Sequence, residues 1–265
     1  WTGTEWAALN LDVQNIGTAE LTGDVSLSVD FAGNPHISYC ALKGTDKDLK
    51  YAGYDGTQWK TETVDAVDSV GGYNSIMVDK NDNPHIAYND ETRNASYLRY
   101  ISYDGTSWNK SVVDARTSSG KYCSLQLDTT DAPHIGYFTG NTICYAEFQG
   151  GKWLIQDSFA PGTPKSGMCL FLDASAKPHI SSYLGNPSYG VYYLYQASGI
   201  WQTSKIERIT DTVNTKIVLN GNGKPEVVYA KDGLYHAVLG ESGVWDISQI
   251  DPYKLACPPK TGPIL

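Results

Sequence analysis

The chain has 265 residues, rich in Gly (26) and Tyr (19) and poor in Met (2), a bias that favours strands and turns over helical bundles. With 20 Lys and Arg against 29 Asp and Glu, a net charge of −9, it cannot neutralise a run of phosphates, which argues against nucleic acid and anionic membranes as partners. No apolar run approaches the ~18 residues that a transmembrane helix needs.

The sequence opens at Trp1, as expected of a processed or trimmed product. Gly3-Thr4-Glu5-Trp6, followed by Asp12, predicts one strand over 1–12. From about residue 25 to 251 the chain repeats. Pro-His-Ile recurs at Pro35, Pro84, Pro133 and Pro178, with a fifth copy as Pro225-Glu226-Val227. A Trp keeps the same beat at Trp59, Trp108, Trp153, Trp201 and Trp245. Each copy reads as four short strands. The first alternates, as in Ser26-Leu27-Ser28-Val29-Asp30, and a Gly/Asn/Asp turn ends at Pro. The second is His-Ile-x-Tyr, the third carries Leu-x-Tyr as in Leu49-Lys50-Tyr51, and the fourth opens at Trp. Four strands every 40–50 residues make a propeller blade, and a blade must be covered by its neighbours.

The expectation is an all-β fold: a five-bladed β-propeller of four-stranded antiparallel blades, closed on itself, with an extra N-terminal strand. The domain would span 1–251, and a Pro-containing tail would follow over 252–265. The strand over 1–12 copies the fourth strand, Gly56-Thr57-Gln58-Trp59 to Asp65, so there are six outer strands for five inner triplets. A fragment of a longer array, or a sixth blade completed by another chain, is the alternative.

Five cysteines carry no metal or haem spacing. Cys40 and Cys144 read as buried thiols within strands. Cys123 and Cys169 occupy similar places in neighbouring repeats, so a disulfide between them is open. Cys257, before Pro258-Pro259, is the candidate for an external bond, and with the unmatched N-terminal strand it offers a route to oligomers. Asn94-Ala95-Ser96 and Asn109-Lys110-Ser111 are glycosylation sequons.

These residues resemble the tandem "PHISY" propeller repeats of secreted and surface proteins of bacteria and archaea: S-L-x-x-D-x-x-x-x-P-H-I-x-Y, then L-x-Y, then G-x-x-W and a closing V-D. The resemblance covers nearly the whole chain. It implies the fold and an extracellular or cell-surface location, and no chemistry. Unit length and number are also similar to five-bladed, tachylectin-like sugar-binding propellers, by analogy of architecture.

The repeated polar residues read as scaffold. Asp30/His36, Asp79/His85, Asp128/His134 and Asp173/His179 each sit six apart across the first turn, where carboxylate and imidazole can meet. In the fifth copy both change together, to Asn220 and Glu226. Such pairs lie in separate blades, so no metal site is expected from them. The Trp residues that keep the beat read as packing between blades, with the indole N–H bonded to a neighbour. Asp79-Lys80-Asn81-Asp82-Asn83 has calcium-loop spacing but lacks the following Gly and the distal Glu.

The aromatics that fall out of step point to function. Tyr73 and Tyr122 are placed in the connections between blades, at the funnel mouth, and Lys121, Lys165 and Asn214 fall in corresponding stretches. These five are the ligand-binding candidates, suited to a neutral polyol or a peptide. Only four Arg are present, the sialidase box S-x-D-x-G-x-T-W is not matched, and no G-x-S-x-G, phosphate loop or dinucleotide fingerprint occurs. The reading is a non-catalytic secreted or surface interaction module, a protein-binding scaffold without cofactor. A glycan-binding, lectin-like propeller is the alternative, and a glycan-active hydrolase stands behind it.

Overall fold

The computed structural model describes residues 21–92, 95–158, 160–211 and 213–252. The strand expected over 1–12, Asn94 of the first sequon, Cys257 and all but the first residue of the tail lie outside the described residues. Twenty strands form five four-stranded antiparallel sheets, each in simple sequence order. The first blade is β1 (Leu21–Val29), β2 (Pro35–Lys43), β3 (Asp46–Tyr54) and β4 (Trp59–Asp65). The second is β5 (Val70–Val78), β6 (Pro84–Asp90), β7 (Tyr97–Tyr103) and β8 (Trp108–Asp114), and the third β9 (Ser119–Leu127), β10 (Pro133–Thr139), β11 (Thr142–Gln149) and β12 (Lys152–Asp157). The fourth is β13 (Pro164–Leu172), β14 (Pro178–Leu184), β15 (Gly190–Ala197) and β16 (Ile200–Glu207), and the fifth β17 (Thr215–Leu219), β18 (Pro225–Ala230), β19 (Leu234–Leu239) and β20 (Trp245–Asp251).

The recurrent Pro opens the second strand of every blade, opposite the last residue of the first, where a missing N–H costs little. The Asp before it closes the turn. Oδ1 of Asp79 accepts from the amides of Asn81 and Asn83, both at 2.8 Å, and Asp128, Asp173 and Asn220 do the same in their blades. The calcium-like spacing at Asp79 is therefore a hairpin turn that already uses one carboxylate oxygen.

Inner strands stack on one another: β1 on β5, β5 on β9, β9 on β13 and β13 on β17. Ile76, Leu125, Leu170 and Ile217 sit between blades and are almost fully buried. The first-strand Ser forms the rungs. Backbone amides of Ile76, Leu125 and Leu170 donate to Oγ of Ser26, Ser75 and Ser124 at 3.1, 3.0 and 3.0 Å, each one blade back.

One expectation is corrected here, and the open question of a Cys123–Cys169 disulfide is answered. The fifth sheet makes no comparable packing on the first among the described residues, so the five blades do not close the ring by themselves. A repeat count says how many sheets stack; the rotation between neighbours is set by the side chains packed between them. Cys123 and Cys169 are both free thiols, as is the buried Cys144. Cys123 spends its S–H on the Tyr73 carbonyl one blade back, at 2.6 Å, rather than facing Cys169.

Candidate functional site

The four Asp–His pairs are in contact, and each is part of something larger. His Nε2 lies 3.6, 3.4, 3.6 and 3.8 Å from Asp Oδ2 at His36, His85, His134 and His179. The closer partner is a third-strand Tyr hydroxyl on Nδ1: Tyr51 at 2.6 Å, Tyr100, Tyr145 at 2.5 Å and Tyr193 at 2.6 Å. The next blade's Trp then meets that Tyr edge to face. Trp108 on Tyr51, Trp153 on Tyr100, Trp201 on Tyr145 and Trp245 on Tyr193 have centroids 5.2–5.7 Å apart and planes at 68–77°. Asp, His, Tyr and Trp thus form one buried relay across each junction. Burial pushes the His85, His134 and His179 pKa values down despite the neighbouring carboxylates, so the imidazoles are neutral packing elements. The Tyr members were not assigned from sequence, although the Leu-x-Tyr pattern carried the signal. Among the described residues the indole N–H finds an acceptor at Trp153, on Ser111 at 3.3 Å, and at Trp245, on Ser204 at 3.0 Å, while those of Trp108 and Trp201 are buried without one.

Tyr73 and Tyr122 are not in connections. They belong to the innermost strands β5 and β9, at bulges where the pairing register slips. Both have positive φ, 51° and 52°. Gly71 and Gly120 precede them with φ of +93° and +87°, and a Cβ on either would strike the neighbouring third strand. The bulge turns the two rings toward each other, 4.7 Å apart, and Tyr122 onto Phe138 at 5.3 Å. Burial pushes the Tyr73 phenol up to about 12. Lys121, Lys165 and Asn214 are exposed, and no hydrogen bond or ring contact joins them to the Tyr pair. The five sequence candidates are therefore one tilted aromatic pair and three separate side chains.

The better-formed concavity lies between the second and third blades and was missed from sequence. It is a crevice of about 380 Å³. Tyr100 and Trp153 form its aromatic floor, with Phe148 on the rim 5.2 Å from the indole. Asn109, Lys110 and Ser111 line one side, and Thr130 and Asp131 the other. Asn109 is held by Asp104 at 2.7 Å, and Lys110 by Asp65 at 3.0 Å. Apolar faces beside fixed donors and acceptors suit a pyranose ring, which has C–H faces and hydroxyl edges. The corresponding side chains of other junctions differ, for example Glu62 and Gln156 at the place of Ser111, so the junctions are not copies. A shallower cleft of about 370 Å³ lies between the connection leaving the fourth blade and the β18–β19 turn of the fifth, lined by Arg208, Thr210, Asp211, Lys231 and Asp232. No group of three or more metal-ligating side chains exists among the described residues.

No protein-family model and no curated protein matches the chain. Solved structures do. A Dyadobacter fermentans protein of unknown function aligns with a TM-score of 0.61 at 8% identity, over 88% of this chain and 84% of that one. The six-bladed, fucose-recognising lectin of the fungus Aleuria aurantia aligns with a TM-score of 0.57 at 16% identity, over 88% of this chain and 80% of the lectin. NanB, in a structure with Optactamide, aligns with a TM-score of 0.55 at 10% identity, over 86% of this chain and 61% of NanB. At these identities the likeness is one of fold, and the chain has the β-propeller fold.

Proposed function

We propose that the protein is a carbohydrate-binding propeller that holds a neutral sugar in the crevice between its second and third blades. The observation that carries this reading is the aromatic floor of Tyr100 and Trp153, with Phe148 on the rim and Asn109, Lys110, Thr130 and Asp131 around it. The likeness of the backbone to a fucose-recognising lectin supports it. On this reading the protein binds without catalysis or cofactor; the resemblance to secreted PHISY-repeat proteins implies a place outside the cell or on its surface. The repeated His and Asp residues are engaged in scaffold contacts rather than in the crevice.

The test is a glycan array on the purified protein, followed by titration of the hits. Phe148 is 38% exposed, so Phe148→Ala removes a ring face with little effect on folding. It should weaken sugar binding about tenfold, on the scale of ~1.4 kcal/mol, and Asn109→Ala should weaken it too. An array without hits, or hits indifferent to both substitutions, returns the protein to the scaffold reading.

A further inference from the structure

Four junctions join consecutive blades, and each sets a Trp of the later blade edge to face on a third-strand Tyr of the earlier one. They differ in the residue opposite that Tyr on the outer strand of its own blade. It is Glu62 for Tyr51, Ser111 for Tyr100, Gln156 for Tyr145 and Ser204 for Tyr193. Where it is Ser, the hydroxyl takes the indole N–H of Trp153 or Trp245. Where it is longer, the indole nitrogen is buried without a partner, at Trp108 and Trp201. An N–H in that state costs free energy that an acceptor would recover.

These two junctions part ways at the rim. Between the third and fourth blades Gln196 holds the rim position that Phe148 holds one blade earlier, and it donates to Gln156 at 2.7 Å, a bridge across the aromatic floor. Between the first and second blades the rim residue is Tyr103, 5.4 Å from Trp108, much as Phe148 is 5.2 Å from Trp153. Glu62 there is exposed and makes no hydrogen bond or ion pair among the described residues. The floor is also barer: Tyr51 is half-buried, where Tyr100, Tyr145 and Tyr193 are 8%, 1% and 3% exposed.

Charge sets this junction apart from the crevice of the second and third blades. In that crevice Asp131 is paired with Lys80 of the preceding blade at 3.5 Å. One blade back, Asp82 stands at the place of Asp131 and Phe31 at the place of Lys80. Asp82 accepts from the Phe31 amide at 3.2 Å and has no cation on it among the described residues. Glu62 adds a second negative charge beside the floor: burial pushes the Tyr51 phenol up, and the Glu62 carboxylate adds to the shift. The lysines on this side are already engaged, Lys60 by Asp55 at 2.9 Å and Lys110 by Asp65 at 3.0 Å. An aromatic floor beside two carboxylates without counter-ions suits a ring that carries positive charge. The unpartnered indole N–H calls for an acceptor as well, which a sugar hydroxyl supplies.

We propose that the junction of the first and second blades is a second binding site, selective for amino sugars: the pyranose ring lies over Tyr51 and Trp108 against Tyr103, and its protonated amines face Glu62 and Asp82. The site is separate from the crevice of the second and third blades and shares with it only the reading that such a floor takes a sugar ring.

Calorimetric titration of the full chain with a glucosamine tetramer tests it, at about pH 6, where the amines are protonated. The tetramer should bind, and Glu62→Gln should weaken it about tenfold. Phe31→Lys, at a fully exposed position, restores the cation that Lys80 supplies in the next junction and should weaken binding to a similar degree. Phe148→Ala should leave it unchanged, which keeps this site distinct from the neutral-sugar crevice. The N-acetylated tetramer, which carries no charge, should show no dependence on Glu62. Absence of binding, binding that Glu62→Gln and Phe31→Lys leave intact, or loss with Phe148→Ala overturns the proposal. A tetralysine peptide that binds as tightly as the amino sugar overturns it too, because charge alone would then explain the contact.

Discussion

Nε2 of His236 lies 2.9 Å from Oε2 of Glu226, where the other four blades set a Tyr hydroxyl against a histidine. Asn220 donates to the other oxygen of Glu226 at 2.8 Å. In the other four blades a Tyr hydroxyl lies on Nδ1 of the His, and Nε2 faces the Asp carboxylate. In the fifth blade both neighbours donate inward to a carboxylate. All three positions differ from the other blades at once, in keeping with the rule that each hydrogen-bond link needs a donor facing an acceptor.

This sets a swap experiment. Glu226→His alone puts an imidazole between two groups that were donating to a carboxylate, and it should cost about 1 kcal/mol in urea unfolding, the group being part exposed. The triple variant Asn220→Asp, Glu226→His, His236→Tyr rebuilds the relay of the other blades and should recover most of that loss. A triple variant less stable than the single one would mean that the three positions are not coupled.

Acid should weaken the protein before its carboxylates titrate. Burial holds His85, His134 and His179 below their ordinary pKa, so the folded state keeps them neutral. The unfolded chain takes up protons at these residues from about pH 6.5 downward. It then binds more protons than the folded state, and stability falls as pH falls. Tm should be flat above about pH 7 and decline between about pH 6.5 and 5, and His85→Gln should reduce the slope. Burial alone would raise the Asp79 and Asp128 carboxyls, but the turn amides and side chains that bond them outweigh it and their pKa values end lower. Their share of stability is therefore lost only below about pH 4.

The Ser rungs should matter more than surface Ser residues do. Ser75→Ala removes the acceptor for the Leu125 amide, which lies between blades. Leaving that N–H without a partner should cost about 1–2 kcal/mol in denaturant unfolding, against a few tenths for Ser107→Ala in the exposed turn of the same blade.

Thiol chemistry should divide the cysteines. Burial pushes the Cys144 thiol up to about 12, and the Cys123 thiol higher. Neither supplies thiolate at neutral pH, and Cys40 is sterically closed. Among the four described cysteines, alkylation of the native protein should reach Cys169 first, with Cys40, Cys123 and Cys144 modified only on unfolding. Mass spectrometry of the digested protein reads the order.

The local units were legible because their rules are short-range. Asp30 through His36 declares a turn between two strands, since Asx chemistry, Gly and Pro act within a few residues. The beat of Pro-His-Ile and Trp then gives four strands per unit and five units, and the structure has them. The paired change at Asn220 and Glu226 even announced a side-chain contact, now seen at 2.8 Å.

What the sequence did not reveal lies between units. The Tyr73–Tyr122 ring contact depends on bulges inside β5 and β9, so stretches that read as connections are strand. The crevice beside Trp153 joins residues from two blades and has no linear signature. The rotation from one blade to the next, which leaves Leu27 open instead of covered, belongs to no single repeat. The sequence alone determined the strands, the turns and the number of modules, because those follow from backbone sterics and neighbouring hydrogen bonds. The tertiary structure decided which surfaces meet and which stay open, because that depends on how side chains some 40–50 residues apart fill the space between stacked sheets.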